Sequence, residues 1–397
     1  MSNNDLAYSL QLPPHVVFGW GQRTQLPSLC HGVGARAIVV WGSRTLAASE
    51  IGKNLFAALQ AADLSPIQFS TCIGEPTVDD IDRATNQLRQ LPVKPTDFLL
   101  AIGGGSAIDT AKALAAMATN THGTSVRDFL EGVGTGLTLS NPPLPIVAVP
   151  TTSGTGSEAT KNAVISVADP PVKKSLRHPG LIPQRVLVDP QLTVSCPAAI
   201  TAESGMDAIT QCIESYVSRW ATPMSQLLAR DGLVHGLLSI VNAIEQPDSR
   251  SGRTGMAHAA LMSGMALANS GLGLAHGVAA ALGAIANVPH GLACAVMLPA
   301  AIRVNLTVSQ QQFAELEWAL CDVEGRPRFT QPDAARAFSE RIGNISQRLS
   351  IPSRLGKLGV TPNMIPALVS GSHGNSLNGN PRSIDDAELT TILEQQL

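Results

Sequence analysis

Phe98-Leu-Leu-Ala-Ile-Gly-Gly-Gly-Ser-Ala-Ile-Asp-Thr-Ala-Lys112 confines this chain more tightly than any other stretch. An apolar run of buried-strand length stops at three glycines, and an Ala-rich helical pattern begins at once. A strand, a tight turn and a helix in immediate succession open a βα unit. Three glycines let the backbone approach a ligand closely, and a helix start offers unpaired N–H groups and a positive dipole end. The stretch therefore predicts a cradle for phosphate, and so a nucleotide or dinucleotide ligand. A plain tight turn is the alternative. The run is not the GxGxxG fingerprint, so an ordinary Rossmann domain is not implied.

The residues on either side extend the pattern. His15–Gly19, Ala37–Trp41, Ile67–Ser70, Phe98–Ile102, Leu144–Pro150 and Arg185–Asp189 read as strands, with helices near 45–62, 78–91 and 106–118. Such alternation predicts a parallel sheet with helices on both faces. Beyond about residue 190 the strand signal fades, and stretches near 201–218, 223–244, 254–269, 274–285, 290–304, 310–322 and 332–349 read as helices. The expected division is an α/β domain over 1–189 and an all-helical domain over 190–397, meeting near Asp189-Pro190.

At 397 residues the chain has room for two such cores. Charged residues make up 14% and the formal net charge is −3, so nucleic acid is not an expected partner. The longest apolar region, Met262 to Pro299, is broken by His276, Asn287, Pro289 and His290, which fits buried helices rather than a membrane span. Met1–Asp5 lacks the basic and apolar regions of a signal peptide. Cys30, Cys72, Cys196, Cys212, Cys294 and Cys321 show no CxxC spacing, as suits free thiols in a reducing compartment. A cytoplasmic location is the expectation.

Two further loops follow predicted strands. Pro150-Thr-Thr-Ser-Gly-Thr-Gly-Ser-Glu158 clusters hydroxyls and glycines where a crevice ligand would lie, with a solvent loop of Ser/Thr turns as the alternative. Gly42-Ser43-Arg44 ends the second strand without the acidic residue that grips a ribose 2′-hydroxyl. Small residues beside an Arg favour a 2′-phosphate and hence NADP, unless Arg44 is simply solvated at a helix start. In the helical half, Asp207 and Gln211 are four residues apart and share a helix face. His276 and His290 lie in apolar surroundings, where a polar ring needs a partner. With Asp207 they could complete a site for Fe or Zn, or each could be a satisfied core histidine.

Taken together, these motifs identify the chain as resembling the iron-containing (group III) alcohol dehydrogenase family, nearly end to end. Gly103–Lys112 resembles its GGGSxxDxAK motif, Pro150–Glu158 its PTTxGTGSE loop and Gly205–Glu214 its GxDALTHAxE element. Ala275–Pro299 resembles its double-histidine signature, and Gly379–Ser383 its GNPR element. The resemblance implies a dehydroquinate synthase-like architecture, with NADP or NAD and a divalent metal (Fe or Zn) in the cleft between the domains. It implies hydride transfer between the cofactor and a small alcohol, aldehyde or ketone, in a chain that forms homo-oligomers. Gly42, Ser43, Arg44, Gly104, Gly105, Ser106, Asp109, Thr151, Thr152, Thr155 and Lys173 are the implied cofactor-binding residues. Asp207, Gln211, His276 and His290 fall on the metal ligands, and Asp207, His276 and His290 form the implied catalytic set.

Three departures stand out. Gln211 replaces a histidine ligand, Ala280 replaces a histidine near the reacting groups, and Ala107 replaces a proline. A glutamine oxygen is a weaker donor than imidazole for iron or zinc, so the expected site holds metal less tightly, or polarises a carbonyl by hydrogen bonds alone. Cys212 and Cys294 flank the implied ligands and are either soft ligands or buried small side chains. Maleylacetate reductases and phosphonate-linked dehydrogenases share the overall pattern. An anionic carbonyl substrate answered by Lys173, Lys174 and Arg177 is thus an alternative. Two others are the related fold of dehydroquinate synthase and glycerol dehydrogenase, and a catalytically silent nucleotide-binding relative.

Overall fold

The computed structural model describes residues 7–71 and 74–397, with side chains for all of these except Ser70 and Thr71. Met1–Asp5 and Cys72 lie outside the described residues. The first half supplies β1 (Val16–Phe18), α1 (Leu26–Cys30), β2 (Arg36–Trp41), α2 (Arg44–Ala48), α3 (Glu50–Ala61), β3 (Ile67–Thr71), α4 (Val78–Gln90), β4 (Asp97–Gly103) and α5 (Gly105–Thr119). It continues through β5 (Ile146–Pro150), β6 (Asn162–Val167), β7 (Val172–Arg177) and β8 (Arg185–Val188). Six strands form one parallel sheet in the order β1-β8-β5-β4-β2-β3.

Alternation along the strands divides the core in two. Ile38, Val40, Leu99, Ala101 and Ala148 pack on the face covered by α4 and α5. Ala37, Val39, Trp41, Leu100, Ile102 and Val149 pack on the opposite face with α1 and α3. From β2 the chain moves outward to β3, then returns through α4 to β4 on the other side of β2. The carboxyl ends of β2 and β4 are therefore the switch point of the sheet, where α/β folds open a crevice. Trp41 pairs with Ile102 in register, which brings the Gly42 turn directly against Gly103.

Strands β6 and β7 are absent from the sequence expectation. They form a separate antiparallel hairpin, with Asn162 opposite Arg177 and Val167 opposite Val172. Their sequence, NAVISV and VKKSLR, is half polar, and β7 contributes little to a core, so hydrophobic runs do not reveal it.

The second half is helical: α6 (Ala198–Val217), α7 (Pro223–Glu245), α8 (Arg250–Ala268), α9 (Leu274–Ile285), α10 (His290–Asn305), α11 (Gln310–Glu324) and α12 (Gln331–Arg348). Three shorter helices follow, α13 (Ile365–Ser372), α14 (Asn375–Asn378) and α15 (Asp386–Glu394). The apolar Met262–Pro299 region is the end of α8 with α9 and most of α10, and its residues are largely buried. Among the described residues, α7 is the one helix long and apolar enough to cross a membrane; here it packs against α6 and α8.

One loop joins the halves. Lys112, fully buried on α5, donates from Nζ to the carbonyls of Ser157 (2.6 Å), Thr160 (2.8 Å) and Asn162 (2.9 Å). Burial draws its pKa down to about 8, against the pull of Asp109 and Glu158. On its other side the same loop meets the helices. A Cβ at Gly154 would lie 2.7 Å from the Ser204 side chain of α6, and one at Gly156 would lie 2.5 Å from Gly264 Cα of α8. Gly156 also holds φ at +60°, a region side chains resist.

Gly156→Ala therefore adds left-handed strain to a clash with the α8 backbone at Gly264 and Ala260. A loss of about 3 kcal/mol or more is expected, read as a lower denaturant midpoint at unchanged m-value.

Candidate active site in the cleft between sheet and helices

A cleft of about 640 Å³ runs between the carboxyl end of the sheet and the helical half. Gly105, Ser106, Asp109 and Thr155 face it from one side, and Gln211, His276, Ala280 and His290 from the other.

On the sheet side, Gly104 is the N-cap of α5 and makes no side-chain cap. The helix start therefore presents backbone N–H groups and a positive dipole end toward the cleft. The glycines also have a second physical cause. A Cβ at Gly103 would lie 2.6 Å from Gly42 Cα, one at Gly104 3.0 Å from Thr152 Oγ1, and one at Gly105 2.6 Å from Thr155 Oγ1. Three loops thus pack onto one another through these positions. The sequence suggests ligand approach or a plain tight turn for these glycines; contact between loops distant in sequence is not visible in it. Thr151 N donates to Gly103 O at 3.0 Å, which ties the second loop to the first.

The other expected cofactor residues are spread along this wall. Ser43 caps α2 by accepting from Leu46 N at 3.0 Å, and Arg44 is exposed beside it. Neither they nor Gly42, Gly104, Thr151 and Thr152 line the cleft itself. Asp109 is occupied structurally: it accepts from the Ser157 hydroxyl and from Val164 N (3.1 Å). Burial raises its pKa, with Lys112 opposing. Lys173 lines the cleft but is paired with Glu75 and packs against Gly283 of α9.

On the helical side, three helices converge. Asp207 Oδ1 of α6 lies 3.2 Å from His276 Nε2 of α9 and 3.8 Å from His290 Nε2 of α10. Asp207 is buried, and the burial opposes its charge, but His290 and His276 more than offset this and hold its pKa below the usual carboxylate range. Burial likewise opposes charge on His290, yet Cys294 and Asp207 push its pKa up to about 9. A carboxylate and two imidazoles converging from three helices form a donor set of the kind that suits a divalent cation.

Glu214 is the residue that sequence reasoning passed over. It lies seven residues after Asp207, two turns along the same face of α6. Its carboxylate accepts from the backbone N–H groups of Gly273 (3.0 Å) and Ala275 (2.7 Å) at the start of α9. It also accepts from His276 Nδ1 at 2.7 Å. One buried carboxylate thereby satisfies a helix N-terminus and fixes the imidazole so that Nε2 faces Asp207. The signal was present as a third polar residue on an apolar helix face.

Gln211 lies at the cleft, but both ends of its amide are engaged. Nε2 donates to Thr155 O at 3.1 Å, and Oε1 accepts from Ser263 Oγ at 3.0 Å. A carbonyl can only accept, so the nitrogen must face Thr155 and the oxygen Ser263. These bonds tie α6 to α8 and the Thr155 loop and leave one lone pair on Oε1. Cys294 Sγ instead lies 3.7 Å from His290 Nε2, and the donor atoms of Asp207, His276, His290 and Cys294 all fall within 4.8 Å of one another. The second cysteine, Cys212, is buried in the helical core against Gly232, and desolvation raises its pKa. It is remote from any such role. The described cysteines Cys30, Cys196, Cys212, Cys294 and Cys321 are all free thiols.

Residues 13–190 match the sequence profile of iron-containing alcohol dehydrogenase, and residues 201–397 match that of the Fe-containing alcohol dehydrogenase family, C-terminal. A probable alcohol dehydrogenase of Escherichia coli (strain K12), EutG, is 32% identical over 353 residues, covering 89% of this chain and 85% of the relative. A 4-hydroxybutyrate dehydrogenase of Cupriavidus necator is 30% identical over 393 residues, covering 96% and 98%. Among solved structures, a sulfoacetaldehyde reductase from Bifidobacterium kashiwanohense in complex with NAD+ superposes with a TM-score of 0.86 at 27% identity, covering 99% of each chain. The architecture is the dehydroquinate synthase-like one, a parallel-sheet α/β half followed by helices.

The Glu214 contact yields a direct expectation. Glu214→Gln keeps the size of the side chain but weakens the bond to His276 Nδ1. Affinity for zinc, measured by chelator competition, is expected to fall about 10–100-fold.

Proposed function

The chain belongs to the iron-containing alcohol dehydrogenase family, and from that premise we propose that it moves hydride between a nicotinamide cofactor and a small aldehyde, ketone or alcohol. One observation carries the reading: the uncapped start of α5 and the Asp207–His276–His290 cluster face each other across a single cleft. We assign residues 1–189 to cofactor binding and 190–397 to metal and substrate binding.

In this reading Gly104, Gly105 and Ser106 receive the pyrophosphate at the N-terminus of α5. Thr151, Thr152 and Thr155, fixed by their packing against those glycines, border the phosphates and nicotinamide. Lys173 closes the hairpin side of the cleft. The bound dinucleotide supplies the hydride. Asp207, His276 and His290 fit a divalent cation by donor type and spacing, and such a cation would supply Lewis-acid polarisation of the substrate oxygen. Glu214 holds the His276 ring in place, and Gln211 keeps the Thr155 loop seated against α6. Ala280 sits one turn beyond His276 on the cleft wall, where it adds space and offers no proton relay. Proton exchange with the product must therefore use water or a cofactor hydroxyl.

We further propose NADP in preference to NAD. The turn after β2 offers Gly42, Ser43 and exposed Arg44, and no carboxylate for the ribose diol. A second reading, an anionic carbonyl substrate, is supported by Lys161 and Lys174 along the hairpin side of the cleft, where Lys173 and Arg177 are paired with Glu75 and Glu131. The names of two relatives, which act on 4-hydroxybutyrate and sulfoacetaldehyde, point the same way.

Incubation of metal-loaded protein with NADPH and a panel of neutral and anionic aldehydes should oxidise the cofactor. Tight NADPH binding with no turnover on any aldehyde or keto acid would overturn the enzyme reading. Arg44→Ala is expected to raise the KM for NADPH about tenfold or more while leaving that for NADH nearly unchanged, since one charge-assisted contact is removed. Equal effects on both cofactors would remove the case for NADP.

A further inference from the structure

The family resemblance places a histidine at position 211, and this chain has a glutamine whose amide is already committed to Thr155 and Ser263. A cation held by Asp207, His276 and His290 would then have three protein donors and one negative charge. The same cluster contains a fourth candidate donor. Cys294 lies on α10 one turn beyond His290, so the two side chains share a helix face. Its side chain is fully buried, and its sulfur lies among the other three donors.

We propose that Cys294 supplies, as thiolate, the protein donor that position 211 no longer provides, and so makes the centre an Asp-His-His-Cys site. The inference rests on the metal reading given above. Its support is geometric. Donors around a tetrahedral ion with bonds of about 2.0–2.3 Å are about 3.3–3.8 Å apart. The observed separations are 3.2 Å for Asp207–His276, 3.8 Å for Asp207–His290 and 3.7 Å for Cys294–His290. These three separations match such a shell, and the remaining donor pairs lie within 4.8 Å.

Two consequences follow from the placement. Asp207 and Cys294 lie behind the cleft wall, whereas His276, His290 and Gln211 line it. The replacement donor therefore comes from the buried side, and the cleft side keeps room for a substrate oxygen beside the Gln211 amide. Charge and softness change as well. One carboxylate, one thiolate and two neutral imidazoles carry two negative charges, which balance a divalent cation. A thiolate also biases the site toward zinc relative to iron. The bias should appear as zinc displacing ferrous ion more readily in the wild type than in Cys294→Ser.

Cobalt(II) tests the assignment without reference to activity. The purified full-length protein, stripped with chelator under reducing conditions, is titrated with cobalt(II) and followed by absorption. The wild type should bind one cobalt per chain and develop a near-ultraviolet thiolate-to-cobalt charge-transfer band. Gln211→Ala should retain that band. Cys294→Ser should lose it, and its cobalt affinity should fall roughly tenfold or more. Wild-type protein that binds cobalt without the band overturns the thiolate assignment and leaves the metal reading standing. Loss of binding in Gln211→Ala with normal binding in Cys294→Ser returns the fourth position to the amide and also overturns it. Protein that binds no cobalt, zinc or iron overturns the metal reading itself, and this inference with it. If Cys294→Ser does not fold, the wild-type band alone decides.

Discussion

The ammonium of Lys112 is the contact on which the two walls of the cleft depend. An unpaired charge in a protein interior is costly, so burial is tolerated only where acceptors surround it. Here the carbonyls of Ser157, Thr160 and Asn162 converge on it from the short 3-10 turn after β5 and the start of β6. The charge is satisfied by this segment, and the segment is held to α5 by the charge. Asp109 on the same helix, taking the Ser157 hydroxyl, and the buried carboxyl of Glu158, pushed up to about 7 by desolvation, complete the knot. A loop fixed on one side by Lys112 can be docked on the other, through Gly154 and Gly156, against α6 and α8. The cofactor wall and the donor cluster thereby gain a fixed separation, which hydride transfer requires.

A similar economy operates on the helical side. The start of α9 carries N–H groups that nothing within the helix can satisfy. Glu214 satisfies them and holds His276 with the same carboxylate. Helix placement and imidazole placement are consequently one event. The site is a property of how α6 meets α9 rather than an addition to a finished fold.

Much of this was legible in the sequence because it is local. Glycines after an apolar run, hydroxyls after the next strand, and the four-residue spacing of Asp207 and Gln211 each reflect a strand end or a helix turn. The β6–β7 hairpin escaped notice because its residues are half polar and it stands apart from the main sheet. Glu214 stood in plain view on the Asp207 face, but its partner lies 62 residues away at His276, and no periodicity connects them. The glycine run lies between β4 and α5 as read, and packing against Gly42, Thr152 and Thr155 explains its composition as fully as ligand approach does.

By itself the sequence determined the six strands of the parallel sheet, the main helices and which polar residues share a helix face, because these follow from backbone periodicity within a few residues; the family followed from the resemblance of its motifs. It could not show where the side chains near the cluster lie. Gln211 is one turn from Asp207 and Cys294 one turn from His290, so local spacing favours neither. Tertiary structure gives the two different surroundings. The close approach of α6 to α8 and the Thr155 loop engages both ends of the Gln211 amide, while the crossing of α6, α9 and α10 brings the Cys294 sulfur in among Asp207, His276 and His290.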